Sequence, residues 1–197
     1  MVMTVTSDTG NIGPILTQLF EQAPTFIALL RGPDHRFELA NPSYLNLVGR
    51  HDILGRRVAE ALPDAAAQGF VTILDDVYRT GTPYKALGAL FVIQTEEGRP
   101  GRECYLDFLY QPIRDENGDV CAIFVEGSDV TERTLSERAR RKSEDLYKGL
   151  FDAIDEGFCI IEFMDGPHGP DSDYVHIQAN DAYARHAGIP NVVGQKL

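Results

Sequence analysis

The residues that could carry metal or nucleophilic chemistry are sparse in this sequence of 197 residues. Its three cysteines, Cys104, Cys121 and Cys159, are widely spaced and form no Cys-x-x-Cys pair. That pattern is typical of reduced thiols rather than of a disulfide framework or a zinc site. No Gly-x-Ser-x-Gly, Walker or His-Glu-x-x-His motif is present. We therefore expect no catalytic centre in the chain.

Acidic residues in two places are the remaining candidates for a divalent-metal site. They are Asp152, Asp155 and Glu156, followed by Asp165, Asp171 and Asp173. Neither group has the ligand spacing of a calcium-binding loop. A solvated acidic surface explains both groups, so we predict no metal site.

The composition describes a soluble globular protein, with 43% hydrophobic and 24% charged residues. A net charge of −12 would repel nucleic acid, so we expect no nucleic-acid partner. No apolar run approaches the roughly 18 residues that a membrane span requires. The N-terminus lacks the basic and apolar regions of a signal peptide. We expect a cytoplasmic protein without a membrane partner.

The first part of the chain predicts a tail, a helix and a hairpin. Residues 1–11 are polar and aperiodic, so we expect a flexible tail. Residues 25–31 and 36–40 are strand-sized, and the Gly-Pro-Asp turn between them predicts a hairpin. Before the hairpin, apolar residues share one face of an amphipathic helix. These residues are Ile12, Ile15, Leu16 and Leu19.

Two helices and three strands are predicted next. Asn41 has the type and position of a helix N-cap, and Gly49 is expected to end that helix. Apolar residues from Phe70 to Tyr78 repeat at the spacing of a longer helix. Strand candidates follow at 84–95, 103–113 and 120–127. Because strands and helices do not alternate, the order predicts an α+β fold with an antiparallel sheet.

A charged helix connects this region to the rest of the chain. Residues 131–148 hold six basic and four acidic side chains with a thin apolar seam, as in a short coiled coil. Asp129 and Glu132 have the spacing of a capping box at its start.

The sequence then repeats part of itself. Residues 19–21 are echoed at 150–152, an offset of 131, and later pairs share an offset of 139. The later pairs are Asn41 and Asn180, Tyr44 and Tyr183, Gly49 and Gly188, and Gly55 and Gly194. The difference predicts an insertion in the Gly/Pro/Asp-rich loop 164–173. The second copy lacks the long helix and the last three strands, so we expect a tandem repeat within a longer protein.

Residues 20–50 and 110–133 resemble the PAS sensory domain. The most specific piece is Asp-Val-Thr-Glu-Arg at 129–133, which is similar to the motif that joins a PAS core to its signalling helix. The resemblance covers 20–133 fully and 151–197 as the front of a second PAS domain. The order of these parts resembles the sensory region of bacterial sensor histidine kinases, particularly the HWE type.

The resemblance implies a five-stranded antiparallel sheet with helices on one face, a cavity between them, and a helical linker. Such domains bind a small ligand or dimerise, and they pass a shift through the exit helix to an output domain. The expected divisions are a tail (1–11), a PAS domain with its N-terminal helix (12–130), a linker helix (131–149) and a truncated second PAS domain (150–197).

Candidate residues follow from this organisation. The cavity candidates are Ile27, Leu29, Asn41, Tyr44, Phe70, Ile73, Val77, Phe108, Tyr110 and Phe124. The apolar candidates equally suit an ordinary core, and Asn41 equally suits a helix cap. The candidates for signal coupling are Asp129, Thr131, Glu132 and Arg133, and an ordinary capped helix start is the alternative. A homodimer is expected through Ile12, Ile15, Leu16 and Leu19 and the linker.

The resemblance leaves the cofactor unknown, but the residues argue against haem and against a LOV-type flavin. Haem PAS domains carry an axial histidine on the long helix, and residues 65–80 contain none. Light-sensing flavin domains of the LOV type need a reactive cysteine, and the corresponding stretch 56–65 has none.

The predicted function is therefore a sensory or dimerisation PAS module of a cytosolic bacterial signalling protein, with a sensor histidine kinase as the expected parent. Three alternatives stay open. They are a scaffold that holds a dimer and senses nothing, a PAS region that serves another output such as a diguanylate cyclase, and a small enzyme on this fold. The absence of a nucleophile–base pair argues against the last.

Overall fold

A computed structural model describes residues 12–94, 101–166, 168–189 and 191–195, so the predicted tail at 1–11 lies outside the described residues. The chain divides into two units between Leu135 and Ser136. The elements of the first unit are α1 (Ile12–Gln22), β1 (Phe26–Arg31), β2 (Arg36–Ala40), α2 (Pro42–Val48), α3 (Val58–Ala61), α4 (Pro63–Ala67), α5 (Phe70–Thr80), β3 (Tyr84–Ile93), β4 (Arg102–Arg114) and β5 (Val120–Asp129). The helix α6 (Thr131–Ala153) begins in the first unit, and β6 (Cys159–Gly166), β7 (Gly169–Ala179) and α7 (Asp181–Ala187) belong to the second.

The five strands of the first unit form one antiparallel sheet in the order β2-β1-β5-β4-β3. The predicted hairpin of β1 and β2 is present, and β5 returns along the other side of β1. β4 pairs with both β5 and β3. This sheet and its helices confirm the predicted α+β fold.

The core lies between one face of the sheet and the helices α2 to α5. Alternate strand residues are buried, as Phe26, Ala28 and Leu30 show in β1. The sequence does not indicate α3 and α4, because helices of four and five residues are too short to show a helical period. Their buried residues, Val58, Ala61 and Ala65, complete the helical side of the core.

β3 carries an irregularity that bears on the site below. Its register with β4 shifts between Ala86 and Ala89. Gly88, inside that shift, has a φ of 60°. A side chain there would be strained, so glycine suits this β-bulge.

The second unit contains α6 from Ser136 onward, the hairpin of β6 and β7, and α7. The predicted loop at 164–173 is wrong in extent, since Met164 pairs with Asp173 and Gly166 with Gly169. The extra residues lengthen the two strands, because ladder pairing satisfies their backbone groups better than an open loop. α6 continues past the predicted linker end at 149 to Ala153, and Phe151 is buried in this last turn. Among the described residues, no helix is long and apolar enough to cross a bilayer.

Candidate functional site

A small cavity of about 50 Å³ lies inside the first unit. Its wall is formed by Phe26, Leu30, Tyr44, Leu47, Val48, Val58, Leu62, Ala65, Phe70, Leu74, Phe91, Leu106, Phe108, Tyr110 and Val125. Four of the ten predicted cavity residues belong to this wall, namely Tyr44, Phe70, Phe108 and Tyr110.

Three predicted cavity residues, Ile27, Leu29 and Phe124, do not line it. In β1 the wall is built by Phe26 and Leu30, and successive side chains of a strand point to opposite faces of the sheet. Leu29 and Phe124 are directly paired and only partly buried on the outer face. Their assignment to the cavity is therefore corrected. β1 is apolar at nearly every position, so its sequence does not reveal which face is inward.

Two further predicted cavity residues, Ile73 and Val77, lie on α5. Phe70 and Leu74, one helical turn apart, line the cavity. Ile73 is partly buried against the core and Val77 is buried within it, and neither lines the cavity. The amphipathic period identified the buried face of the helix but not the narrower stripe that meets the cavity.

Aromatic rings dominate one side of the cavity. The ring centroid of Phe70 lies 5.2 Å from that of Phe91 and 5.7 Å from that of Phe108. Phe108 lies 4.8 Å from Tyr110, whose ring is 6.4 Å from that of Tyr84 on β3. These edge and tilted contacts are favourable for aromatic pairs, and they form a wall of ring faces and edges.

The phenols of Tyr44 and Tyr110 are the polar side chains of the wall. Burial raises the pKa of both, and the neighbouring phenols of Tyr44 and Tyr84 raise the pKa of Tyr110 further. Both hydroxyls are therefore neutral donors at physiological pH. Within the part of the chain that the structure describes, neither hydroxyl has a hydrogen-bond partner, and no charged side chain lines the cavity.

Asn41, the last predicted cavity residue, is instead a fully buried structural group. Its Oδ1 accepts hydrogen bonds from the amides of Ile27 and Tyr44, both at 2.9 Å. Its Nδ2 donates to the carbonyls of Phe20 at 3.2 Å and Thr25 at 2.9 Å. The alternative interpretation as a helix N-cap is confirmed, and the same side chain also ties α1 and β1 to the start of α2.

The start of the exit helix α6 is anchored on β4. The amide of Tyr105 donates to Oγ1 of Thr131 at 2.9 Å, and the amide of Val130 donates to the carbonyl of Tyr105 at 2.8 Å. Asp129 accepts from both the amide and the hydroxyl of Thr131. The predicted capping box of Asp129 and Glu132 does not form. The Asp129 carboxylate accepts the amide of Thr131 instead, and Glu132 is exposed.

Asp107 also belongs to this anchor, although it is not among the residues predicted for signal coupling. One carboxylate oxygen accepts the amide of Gly88 at 2.7 Å, and the other lies 3.1 Å from the guanidinium of Arg133. A single side chain thus joins the bulge of β3 to the first turn of α6. An acidic residue inside the otherwise largely apolar strand 104–110 was the available signal.

The predicted dimer residues lie on α1, which has no buried side chain. Ile15, Leu16 and Leu19 are 51%, 58% and 62% exposed, and Ile12 is partly exposed. An amphipathic helix with an exposed apolar face is suited to cover a further surface.

Metal-ligating residues do not cluster among the described residues. Cys104 is buried, and that burial raises the pKa of its thiol, which argues against a reactive thiolate. His35 is buried away from the cavity wall, with its Nε2 2.8 Å from Asp75. Burial therefore favours a packing role for Cys104, and His35 is held by Asp75.

Comparison with known proteins identifies a family. The model of the PAS fold (PAS_4) matches residues 20–135, more than half of the chain. Among solved structures, an RNA-binding light-oxygen-voltage receptor aligns with a TM-score of 0.56 and 20% identity, over 74% of this chain and 40% of that one.

Two further structures belong to signalling proteins. The Vibrio cholerae VqmA dimer, described as a LuxR-type receptor, aligns with a TM-score of 0.50 and 25% identity, over 61% of this chain and 52% of that one. A sensory box sensor histidine kinase from Vibrio cholerae aligns with a TM-score of 0.43 and 18% identity, over 60% and 90% of the two chains. The chain spans only 40% of the length of the light-oxygen-voltage receptor and 52% of that of VqmA.

Proposed function

Because this chain belongs to the PAS family, we propose that its first unit is the sensory module of a signal-transduction protein. Occupation of the cavity would shift β4 and, with it, the start of α6. The observation that carries the proposal is that β4 contributes residues both to the cavity wall and to the anchor of α6. Its inward residues Phe108 and Tyr110 line the cavity, while Tyr105 and Asp107 hold the exit helix.

The physical requirement for such coupling is a difference in ligand affinity between two arrangements of sheet and helix. The anchor consists of few bonds, and the Asp107–Arg133 pair is solvent-accessible. Contacts of this kind are individually weak, so a modest shift of β4 could change their populations. The predicted coupling residues Asp129, Thr131 and Arg133 all take part in the anchor, and Glu132 does not contact it in the described structure.

A variant that mimics occupation tests the coupling without knowledge of the ligand. Ala65 lines the cavity, so Ala65→Val adds methyl groups into it, whereas Ala67→Val adds them on the exposed side of the same helix. We expect Ala65→Val to change the hydrogen exchange of the amides at 131–135 and Ala67→Val to leave it unchanged. Equal exchange in both variants would contradict coupling through β4.

We also propose that the chain forms a cytoplasmic homodimer through α1 and the linker helix, as part of a bacterial sensor histidine kinase whose output domain lies in the same polypeptide. The exposed apolar face of α1 supports the dimer. Replacing Leu16 and Leu19 with glutamate should then give monomers in native mass spectrometry, whereas an unchanged dimer would exclude this interface.

The second unit supports the proposed tandem arrangement of a PAS domain (12–130), a linker (131–149) and the front of a second PAS domain (150–197). Asn180 accepts from the amides of Phe158 and Tyr183, both at 2.9 Å, as Asn41 does in the first unit. The glycines that end α2 and α7, Gly49 and Gly188, are both left-handed.

A dimerisation scaffold that senses nothing is the second candidate, favoured by the small volume of the cavity. Native mass spectrometry of the purified chain, recorded with its absorption spectrum, separates the two functions. A retained small molecule would support the sensor, and visible colour would add a chromophoric cofactor that the sequence did not predict. A bare dimer combined with an unresponsive Ala65→Val variant would support the scaffold.

A further inference from the structure

The geometry points to a specific class of ligand for this cavity: a small uncharged molecule that offers a hydrogen-bond acceptor, such as a ketone or amide oxygen, to the hydroxyls of Tyr44 and Tyr110. The inference rests on the proposed sensory function, because it names what the sensor would bind.

The charge of the ligand follows from the wall. The residues that line the cavity include no lysine, arginine, histidine, aspartate or glutamate. An ion placed there would lose its hydration without gaining a counter-ion, which is strongly unfavourable. Both tyrosines are neutral at physiological pH, since burial raises their pKa. Carboxylates, phosphates and ammonium compounds are therefore excluded as ligands.

The acceptor follows from the two phenols. A phenol donates one hydrogen bond and satisfies that donor whenever a partner is in reach. Tyr44 and Tyr110 are buried, and neither hydroxyl is hydrogen-bonded within the described residues. Both tyrosines line the same cavity, so one ligand in it is exposed to both phenols. A carbonyl oxygen has two lone pairs and can accept from both.

The size follows from the volume and the ring walls. A cavity of about 50 Å³ holds only a few atoms without expansion. Phe70, Phe91 and Phe108 present ring faces and edges to it, which suit a compact apolar body. The ligand is therefore a short-chain or single-ring compound and not a polycyclic cofactor.

Three probes of similar size test this inference on the full chain. Cyclopentanone carries the acceptor, cyclopentane lacks it, and cyclopentanecarboxylate is charged. Binding is followed by NMR through the methyl groups of Leu47, Leu74 and Val125, which line the cavity. We expect cyclopentanone to bind about three- to tenfold more tightly than cyclopentane, as one net hydrogen bond would give. We expect no cavity shifts from the carboxylate.

Matched variants assign the preference to the phenols. Tyr44→Phe and Tyr110→Phe, alone and together, should remove the preference for cyclopentanone while cyclopentane binds as before. Tyr78→Phe is the control, because Tyr78 contacts His35 and does not line the cavity. The wild-type comparison of the three probes stands even where a variant folds poorly.

Several outcomes would overturn the inference. They are equal affinity for cyclopentanone and cyclopentane, binding of the carboxylate in the cavity, a preference that survives the double variant, or no cavity shifts from any probe. Failure of the proposed function looks different. In that case cyclopentanone binds with the expected preference, but neither it nor Ala65→Val changes the hydrogen exchange at 131–135.

Discussion

Asn41 in the first unit and Asn180 in the second each form the same hydrogen-bond network within their own unit, but the interiors beside them differ. The Oδ1 of Asn41 accepts hydrogen bonds from the amides of Ile27 and Tyr44. The Oδ1 of Asn180 accepts hydrogen bonds from the amides of Phe158 and Tyr183. In each unit, the side-chain nitrogen donates to carbonyls of the preceding helix and loop. The glycine amides of Gly55 and Gly194 bond to the carbonyls of Phe37 and His176 at 2.7 and 2.8 Å.

The interiors differ at one matched position. Phe37 packs its ring 5.6 Å from Tyr44, and His176 lies at the same 5.6 Å from Tyr183. His176 is 2% exposed, with Nε2 3.1 Å from the Tyr183 hydroxyl and Nδ1 without a partner among the described residues. The asparagine network therefore tolerates a change from an apolar to a polar interior, because its bonds involve local backbone groups.

The sheets also differ. The first unit closes five strands over its helices, whereas the described second unit has two strands, and Phe163 on β6 is 58% exposed. Apolar side chains of a strand are covered only when further strands or helices pack over them. The network of Asn180 therefore forms without the complete core that the first unit has.

The largest expected effect tests the equivalence of the two networks. Asn41→Ala leaves two amides and two carbonyls without their partner, so we expect a loss of about 3–5 kcal/mol in the free energy of unfolding of the first unit. Urea unfolding followed by circular dichroism measures it, with Asn46→Ala, exposed on the same helix, as the control. Asn180→Ala should likewise deprotect the amides of Phe158 and Tyr183 in hydrogen exchange. Unchanged protection there would show that the networks are not equivalent.

Exchanging the two interior residues gives the next largest effect. Phe37→His buries a polar ring in an apolar core and should cost about 2–4 kcal/mol. His176→Phe removes an unpaired buried nitrogen and should stabilise the second unit by about 1 kcal/mol, even though the bond to Tyr183 is lost. Both are measured by thermal or urea unfolding. Destabilisation by His176→Phe would mean that its interior needs the imidazole.

Alkaline pH tests the two cavity phenols. Burial raises the folded-state pKa of Tyr44 and Tyr110 above the ordinary 10. The stability they contribute is therefore complete below pH 10 and is lost as pH rises toward their folded pKa, by about 1.4 kcal/mol per pH unit for each tyrosine. The Tyr44→Phe/Tyr110→Phe variant should lose less stability between pH 10 and 11.5 than the wild type. The free energy of unfolding is measured by urea unfolding at each pH. If it falls equally between pH 10 and 11.5 in the wild type and the double variant, the burial of these hydroxyls is contradicted.

The smallest effect concerns the exit helix, which starts in the first unit. Arg133→Gln breaks the pair with Asp107, which is partly exposed, so we expect a loss of less than about 1 kcal/mol. The loss should shrink in high salt because salt screens accessible charges. Arg141→Gln, on the exposed part of the same helix, is the control. A larger effect that does not depend on salt would indicate that Arg133 acts through packing.

Local patterns predicted most of the elements in both units. The N-caps at Asn41 and Asn180 and the left-handed glycines Gly49 and Gly188 depend on residues within a few positions, and all four formed as their types indicate. The hairpin β1–β2 ends within one residue of its predicted bounds. Helices as short as α3 and α4 left no period to detect, and the insertion at 164–173 extended a hairpin because strand pairing decided its shape.

The sequence predicts that a cavity lies between the sheet and the helices, but it identifies only some of the residues that line it. Alternation in β4 indicates that Phe108 and Tyr110 point inward, and the period of α5 indicates the same for Phe70. Tyr44 lies on the apolar face of the helix that Asn41 begins. Ile27, Leu29 and Phe124 were misassigned, since β1 and β5 are apolar on both faces and their phase depends on which face the helices cover.

Hydrogen bonds and side-chain periods between near neighbours specify the α+β order of elements, the caps and the charged exit helix, so these features can be predicted from the sequence. Long-range packing specifies which face of the sheet encloses the cavity, that two phenols line it without hydrogen-bond partners among the described residues, and that Asp107 joins the β3 bulge to Arg133. These features bring together residues that are from 19 to 66 positions apart in the chain. Such contacts follow from strand pairing and layer packing, which local patterns do not encode.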